Sequence, residues 1–229
     1  SASDVCIIVI PNNPTGQIPT MESLEKNLQK FYNKKITCII DVSWLYSIYS
    51  NVKKVNLNKI IRLALKYDAI LLLGFTKLFG VASIRCSGLI ANKKIVNNFI
   101  KIHDSLAIGC GTIDESLIYS FIKNKSAVNW AEANLFLEKQ KDLVVDILNK
   151  SQLNLDIVQP EAGIFLCFYV LGLRSAKEVA EKCRDRNLLV YSSTMFEDRD
   201  DGFRICFSKS TDEIKNGLKI LVSVIKRSL

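Results

Sequence analysis

Four polar segments follow apolar, strand-like runs in the first half of this chain. Pro11–Gly16 (PNNPTG) comes after Val5–Ile10, Asp41 ends the second run, and Lys77 and Arg85 follow the third. In open α/β sheets, ligands bind beyond the carboxyl ends of the strands, so these residues could face one site. A lysine amine, a carboxylate and a guanidinium gathered there could combine nucleophilic chemistry, proton transfer and anion binding.

Each of these segments also has an ordinary structural explanation. Asparagine, proline and glycine all favour turns, so Asn13–Gly16 could be a simple turn. Asp41 could cap a helix, and Lys77 and Arg85 could be surface charges. Their order and spacing are more informative, because Asp41 lies 28 residues after Asn13, Lys77 lies 36 residues after Asp41, and Arg85 follows eight residues later.

In this order and spacing, the segments resemble the fold-type I aminotransferases of class I/II, which depend on pyridoxal 5′-phosphate (PLP). This family includes aspartate and histidinol-phosphate aminotransferases and threonine-phosphate decarboxylases. The string GFTKLFGVASIRCSGLIA is similar to the family's lysine signature, S-x-(S/T)-K-x-(F/Y)-G-x-x-G-x-R-x-G. PEAGIFLCF and GFRICFS resemble strands of the family's small domain. The resemblance covers essentially the whole chain and implies the C-terminal portion of such an enzyme.

The resemblance implies a role for each matching residue. Lys77 would bind PLP as a Schiff base and then move the substrate's proton as general base and acid. Asp41 would keep the ring nitrogen protonated, and Asn13 would donate a hydrogen bond to the ring's 3-oxygen. Arg85 would pair with the phosphate dianion. Asn13 and Arg204 would contact the substrate, Arg204 through the α-carboxylate, unless Arg204 is an ordinary charge at a strand edge.

Three positions depart from the family pattern. Trp44 stands where the family usually has a tyrosine that donates to the 3-oxygen; an indole N–H can also donate, so we expect Trp44 to bind the cofactor. Gly74 stands where a serine usually contacts the phosphate, and Thr76 would keep one hydroxyl nearby. Ser87 replaces a glycine. These differences bear on cofactor affinity and turnover rather than on the fold.

The functional prediction is a PLP-dependent aminotransferase that transfers an amino group between an amino acid, or a similar amine, and a 2-oxo acid. One alternative is a decarboxylase or lyase of the threonine-phosphate decarboxylase type. Another is a catalytically degenerate aminotransferase-like binding domain, motivated by Trp44, by Gly74 and by the family's N-terminal phosphate loop and ring-stacking aromatic, which this chain lacks. Family members are usually dimers, which implies a homodimer.

Composition limits the other functional classes. The 229 residues carry a formal net charge of +8, but the lysines are spread along the chain, so we predict no nucleic-acid binding. Seven cysteines without a C-x-x-C pair, and a single histidine, predict reduced thiols in a cytoplasmic protein and no metal site. No apolar run approaches the roughly 18 residues of a membrane span, so we predict no membrane insertion.

Apolar runs that alternate with amphipathic stretches predict the framework of the first half. Strands are expected at Val5–Ile10, Thr37–Asp41, Ala69–Gly74 and Ser87–Ala91, with helices between and after them. Continuous apolar strands that alternate with helices favour a mostly parallel sheet with both faces covered.

The pattern changes after about Ser126. A helical stretch to Lys150 precedes strand-like segments, and a final helix opens with the capping box Ser210–Glu213. The predicted strands are Leu155–Gln159, Gly163–Tyr169, Leu188–Tyr191 and Phe203–Phe207. We therefore predict an α/β, fold-type I large domain at residues 1–125, without its N-terminal part, and a smaller α+β domain at residues 126–229.

Overall fold

The structure, a computed structural model, describes residues 4–50, 52, 55–81, 83–109, 111–124 and 129–229. Its packing groups the chain into two units. One comprises Ser1–Asn12 with Ile18–Ala131, and the other comprises Asn13–Gln17 with Glu132–Leu229. The boundary predicted between residues 125 and 126 lies outside the described residues, so the division into domains 1–125 and 126–229 stays a prediction.

The first unit is built on a four-stranded sheet in which the strands follow one another in sequence order. They are β1 (Val5–Val9), β2 (Thr37–Asp41), β3 (Ile70–Gly74) and β4 (Ser87–Ile90). The first three are parallel, and β4 runs antiparallel to β3. The predicted α/β class with a mostly parallel sheet is therefore confirmed. The described part of the connection between β3 and β4 contains one four-residue helix, and the chain turns back beside β3.

Side-chain caps begin three helices of the first unit. They are α1 (Met21–Asn33), α2 (Leu57–Lys66), α3 (Phe75–Leu78), α4 (Lys93–Ala107) and α5 (Thr112–Asn124). The side chains of Thr20, Asn56 and Asn92 each accept a hydrogen bond from the backbone N–H three residues later, which caps α1, α2 and α4. A core of buried aliphatic side chains holds α1 and α2 to the sheet, including Leu24, Leu28, Ile40, Ile60 and Leu71.

The second unit contains an antiparallel sheet in the order β5–β6–β8–β7. Its strands are β5 (Leu155–Val158), β6 (Phe165–Val170), β7 (Tyr191–Ser192) and β8 (Gly202–Cys206). Its helices are α6 (Trp130–Asn149), which begins two residues before this unit, α7 (Ala176–Arg184) and α8 (Thr211–Lys226). The predicted capping box is present at the start of α8, where Ser210 and Glu213 bond reciprocally.

The predicted strand at Leu188–Tyr191 is wrong over most of its length, because β7 contains only Tyr191 and Ser192. Residues 187 and 188 instead belong to the turn that follows α7. Asn187 adopts a positive φ of 59°, and the Leu188 N–H donates to the carbonyl of Cys183 (3.0 Å). An apolar run after a helix can thus serve as a helix terminus rather than as a strand.

Candidate functional site

Asp41 lies at the carboxyl end of β2 and is half-buried. Its Oδ1 atom accepts hydrogen bonds from the backbone N–H of Ser43 (2.8 Å) and from the Ser43 hydroxyl. Side chain-to-backbone bonds of this kind are typical of aspartate at a turn. Within the part of the chain that the structure describes, Oδ2 accepts no hydrogen bond, so it is open to a donor from a ligand.

Lys77 lies in α3, directly after the neighbouring parallel strand β3. The register pairs Asp41 with Leu72, so the segments that follow β2 and β3 leave the sheet at the same end. The Lys77 ammonium nitrogen lies 5.2 Å from the centroid of the Trp44 ring, within the range of a cation–π interaction. Lys77 is exposed, and among the described residues it has no carboxylate partner. Its amine is therefore accessible to a ligand.

Gly74, the last residue of β3, packs directly against Ser43. A Cβ atom at position 74 would overlap Ser43 Oγ and would lie 2.6 Å from Ser43 Cβ. The φ angle of Gly74 is −88°, which any residue adopts, so the site requires glycine for space and not for its backbone conformation. The glycine that departs from the family pattern is thus matched to the serine on the adjacent segment.

Two interactions that the sequence did not predict hold the segment around Lys77. The indole N–H of Trp130 donates to the carbonyl of Leu78 (2.9 Å), and the ring of Phe79 stacks on that of Phe121 (5.2 Å between centroids). Both partners are far from Lys77 in sequence, so no local pattern could have indicated them. They fix the end of α3 and with it the base of the lysine side chain.

The remaining predicted residues of the first unit are Thr76 and Arg85. Thr76 is half-buried within α3, and its carbonyl accepts the N–H of Val81 (3.0 Å). Arg85 is exposed in the segment before β4, and its backbone N–H donates to Asp114 Oδ2 (3.2 Å). Asp114, in the first turn of α5, is a further contact that the sequence did not indicate.

In the second unit, the structure brings together Asn13 and Arg204. The Arg204 Nη1 atom donates to Asn13 Oδ1 (3.3 Å). Three aromatic rings surround the guanidinium carbon, at 4.3 Å for Phe165, 4.2 Å for Phe196 and 4.8 Å for Tyr191.

Burial lowers the pKa of the Arg204 guanidinium from its usual value, because the charged form is partly desolvated. Within the described ranges Arg204 has no carboxylate partner. A partly desolvated arginine held by aromatic rings is well suited to bind a carboxylate from a ligand.

The turn that contains Asn13 is anchored within the same unit. Gly16 has a positive φ of 69°, and a Cβ there would lie 2.6 Å from Pro160 Cβ. The carbonyl of Gly16 accepts the N–H of Glu161 (3.0 Å), and the Cys167 thiol donates to the carbonyl of Pro14 (3.4 Å). Burial raises the pKa of Cys167 to about 11, so this thiol stays protonated and serves as a donor.

These residues fit the cofactor that the sequence predicts. PLP requires an amine for its aldehyde, an acceptor for its ring N–H and a cation for its phosphate. In the first unit, Lys77 offers an amine without a carboxylate partner, Asp41 offers an open oxygen, and Arg85 is exposed. No group of three or more His, Cys, Asp or Glu side chains in the described ranges could hold a metal ion. None of the helices described there is both long and apolar enough to cross a membrane.

Comparison with known proteins adds independent findings. The family described as aminotransferase class I and II matches residues 2–221. Histidinol-phosphate aminotransferase from Sulfurimonas denitrificans is 24% identical over 153 residues, covering 64% of this chain and 41% of the relative. The enzyme of the same name from Methanocaldococcus jannaschii is 23% identical over 229 residues, covering 96% and 55%. The chain thus spans about half the length of these curated relatives.

A solved structure shows the same fold. The aromatic aminotransferase from Pyrococcus horikoshii superposes with a TM-score of 0.84 at 19% identity, covering 97% of this chain and 60% of that chain. Identity at this level supports the fold and carries no information about the substrate.

Proposed function

We propose a function from the premise that the chain belongs to the aminotransferase class I and II family, whose members depend on PLP. The proposed activity is transfer of an amino group between an amino acid, or a similar amine, and a 2-oxo acid. The observation that carries it is the exposed Lys77 amine, which lies over the Trp44 ring at the same end of the sheet as the open oxygen of Asp41.

Lys77 and Asp41 are proposed to act directly on the cofactor. When bound, PLP supplies an aldehyde that combines with amines and a protonated ring that accepts electrons. Lys77 would bind that aldehyde through its amine and later carry the substrate's α-proton as general base and acid. The Asp41 carboxylate would accept a hydrogen bond from the ring N–H and favour its protonated form. The Trp44 ring stabilises a positive charge on Lys77 when the amine is protonated.

Binding and orientation are assigned to four other residues. Arg85 would pair with the phosphate, with Thr76 as a nearby hydroxyl donor, and Asn13 would donate to the ring's 3-oxygen. Arg204 would hold the substrate's α-carboxylate, since it is partly desolvated and already bonded to Asn13. A carboxylate fixed in this way determines which bond at the α-carbon is broken.

The substrate, partner and compartment are also proposed. Both curated relatives are named histidinol-phosphate aminotransferases, so histidinol phosphate is the first amine to test. We propose a homodimer in the cytoplasm, with a large domain at residues 1–125 and a small domain at residues 126–229. The decarboxylase and the non-catalytic binding domain are the competing outcomes of the experiments below.

The first experiment locates the cofactor. The full-length protein is incubated with PLP, reduced with borohydride and digested, and the pyridoxyl-labelled peptide is identified by mass spectrometry. We expect the label on Lys77 and its loss in Lys77→Ala. Lys123→Ala is the matched control, because the Lys123 amine also lies over an aromatic ring, 5.8 Å from the Tyr119 centroid. A label on another lysine, or a protein that takes up no PLP, contradicts the proposal and favours the binding domain.

The second experiment distinguishes the two reactions. The loaded protein is incubated with histidinol phosphate or an amino acid, together with 2-oxoglutarate. Formation of glutamate supports amino transfer. Release of carbon dioxide from an amino-acid substrate, without glutamate, supports the decarboxylase instead.

A further inference from the structure

Ser43 bonds directly to Asp41 of the proposed site, and the family resemblance does not explain its interactions. Both of its donors, the backbone N–H and the hydroxyl, point at the same oxygen of Asp41. A turn at this position needs only the hydrogen bond from the Ser43 N–H to Asp41 Oδ1. The Ser43 hydroxyl is therefore an additional donor to the same oxygen.

We propose that Ser43 is a positioning residue for Asp41, an inference that rests on the proposed function. The two donors fix Oδ1 and leave Oδ2 for the ring nitrogen of the cofactor. Without the hydroxyl, only the backbone N–H of Ser43 holds the Asp41 carboxylate, which can then rotate. Binding of the ring N–H must then also order this carboxylate, which lowers the affinity. Ser43 thereby increases the affinity of Asp41 for the ring nitrogen without touching the cofactor.

The adjacent strand makes this arrangement possible. Position 74 faces Ser43 closely enough that any side chain there would overlap Ser43 Oγ and Cβ. Glycine at position 74 leaves the serine side chain the space in which it reaches Asp41. The two residues therefore act as a pair: Gly74 leaves space beside β3, and the Ser43 hydroxyl that bonds to the Asp41 carboxylate occupies it.

The test uses a cofactor analogue that removes only the interaction in question. In 1-deaza-PLP, carbon replaces the ring nitrogen, so the analogue offers Asp41 no N–H. Dissociation constants for PLP and for the analogue are measured with the full-length protein and its variants, by fluorescence titration. We expect Ser43→Ala to weaken PLP binding about three- to tenfold, the cost of ordering one side chain on binding, and to leave the analogue's affinity unchanged within about twofold.

A matched control is available in the same segment. The Ser47 hydroxyl donates to the carbonyl of Trp44 (2.7 Å) and not to Asp41, so Ser47→Ala should change the ratio of the two affinities by less than about twofold. Ser43→Gly, which also removes the hydroxyl, should reproduce the effect of Ser43→Ala. Melting temperatures of the unliganded proteins show whether each variant is folded.

The outcomes separate this inference from the proposed function. Asp41→Asn should abolish the preference for PLP over the analogue; if it does not, the proposed role of Asp41 is wrong. If Asp41→Asn abolishes the preference but both Ser43 variants weaken PLP and analogue equally, Ser43 is a structural residue and the inference is overturned. If neither ligand responds to Ser43→Ala and Ser43→Gly, it is overturned as well.

Discussion

A side chain at position 74 should destabilise the protein, because Ser43 already occupies the space. The new Cβ of Gly74→Ala would overlap Ser43 Oγ, lie 2.6 Å from its Cβ and lie 3.3 Å from its Cα. The two segments cannot easily move apart, since the N–H of Val42 donates to the carbonyl of Leu72 (3.0 Å) just before they meet. Overpacking of this kind costs about 1–3 kcal/mol, so we expect the free energy of unfolding to fall by about 2 kcal/mol.

The origin of this loss can be isolated with a double-mutant cycle. Ser43→Gly removes both overlapping atoms, so the nearest remaining atom of residue 43 is its α-carbon, 3.3 Å from the new Cβ. In that background, Gly74→Ala should cost less than about 0.5 kcal/mol, which gives a coupling free energy of about 1.5–2 kcal/mol between the two positions. Urea unfolding followed by circular dichroism measures all four proteins at neutral pH.

A glycine in the second unit provides the contrast. Gly217 lies within α8, and the nearest atom to a Cβ there is Leu188 Cδ1 at 3.3 Å, the flexible end of a side chain. Alanine has the higher helix propensity, so Gly217→Ala should raise the free energy of unfolding by up to about 1 kcal/mol.

One result of the double-mutant cycle would refute the steric argument. If Gly74→Ala lowers the free energy of unfolding equally with and without the Ser43 side chain, Gly74 and Ser43 are not paired by packing.

Two further predictions concern the second unit. Phe168 is fully buried in β6, with its ring 5.5 Å from that of Phe203, so Phe168→Ala should lower the free energy of unfolding by about 3–5 kcal/mol in urea; a loss below about 1 kcal/mol would contradict this packing. The Ser210 hydroxyl and N–H lower the pKa of Glu213. The stability that this carboxylate contributes is therefore present above its ordinary pKa and is lost as the pH falls through the lowered pKa. The advantage of wild type over Glu213→Gln, measured by thermal unfolding, should therefore shrink as the pH falls and disappear once the carboxylate is protonated in the folded protein. An advantage that persists in acid would show that the charge is not involved.

The sequence was most informative where local chemistry and burial agree. Thr37–Asp41 was predicted with the bounds that β2 has, because its apolar residues are buried and a polar residue follows directly. The capping box at Ser210 was equally local, since its side chain bonds to a residue three positions later. The antiparallel direction of β4 depends on the connection from β3, and the end of α7 depends on a backbone turn. Hydrophobic periodicity indicates neither of these features.

The sequence indicated the residue types of the candidate site but not the interactions that support them. Spacing along the chain indicated Asp41 and Lys77, because Asp41 ends one parallel strand and Lys77 closely follows the next. Ser43 lies two residues from Asp41 and was still overlooked, because its importance depends on which residue of β3 it faces. Trp130 donates to a carbonyl 52 residues away, a distance over which no local signal operates.

The pairing of Ser43 with Gly74 also bears on whether this chain has a non-catalytic role. From the sequence alone, Gly74 lacks the hydroxyl that the family's serine usually supplies at this position. This difference favours the hypothesis of a non-catalytic binding domain. A side chain lost without compensation would leave a gap between the ends of β2 and β3, and close packing would be reduced there. Instead, the space is filled by a hydroxyl that donates to the one carboxylate the proposed chemistry requires. The Ser43 hydroxyl therefore holds the Asp41 carboxylate in a defined orientation. A domain retained only for binding would have no physical need for that orientation.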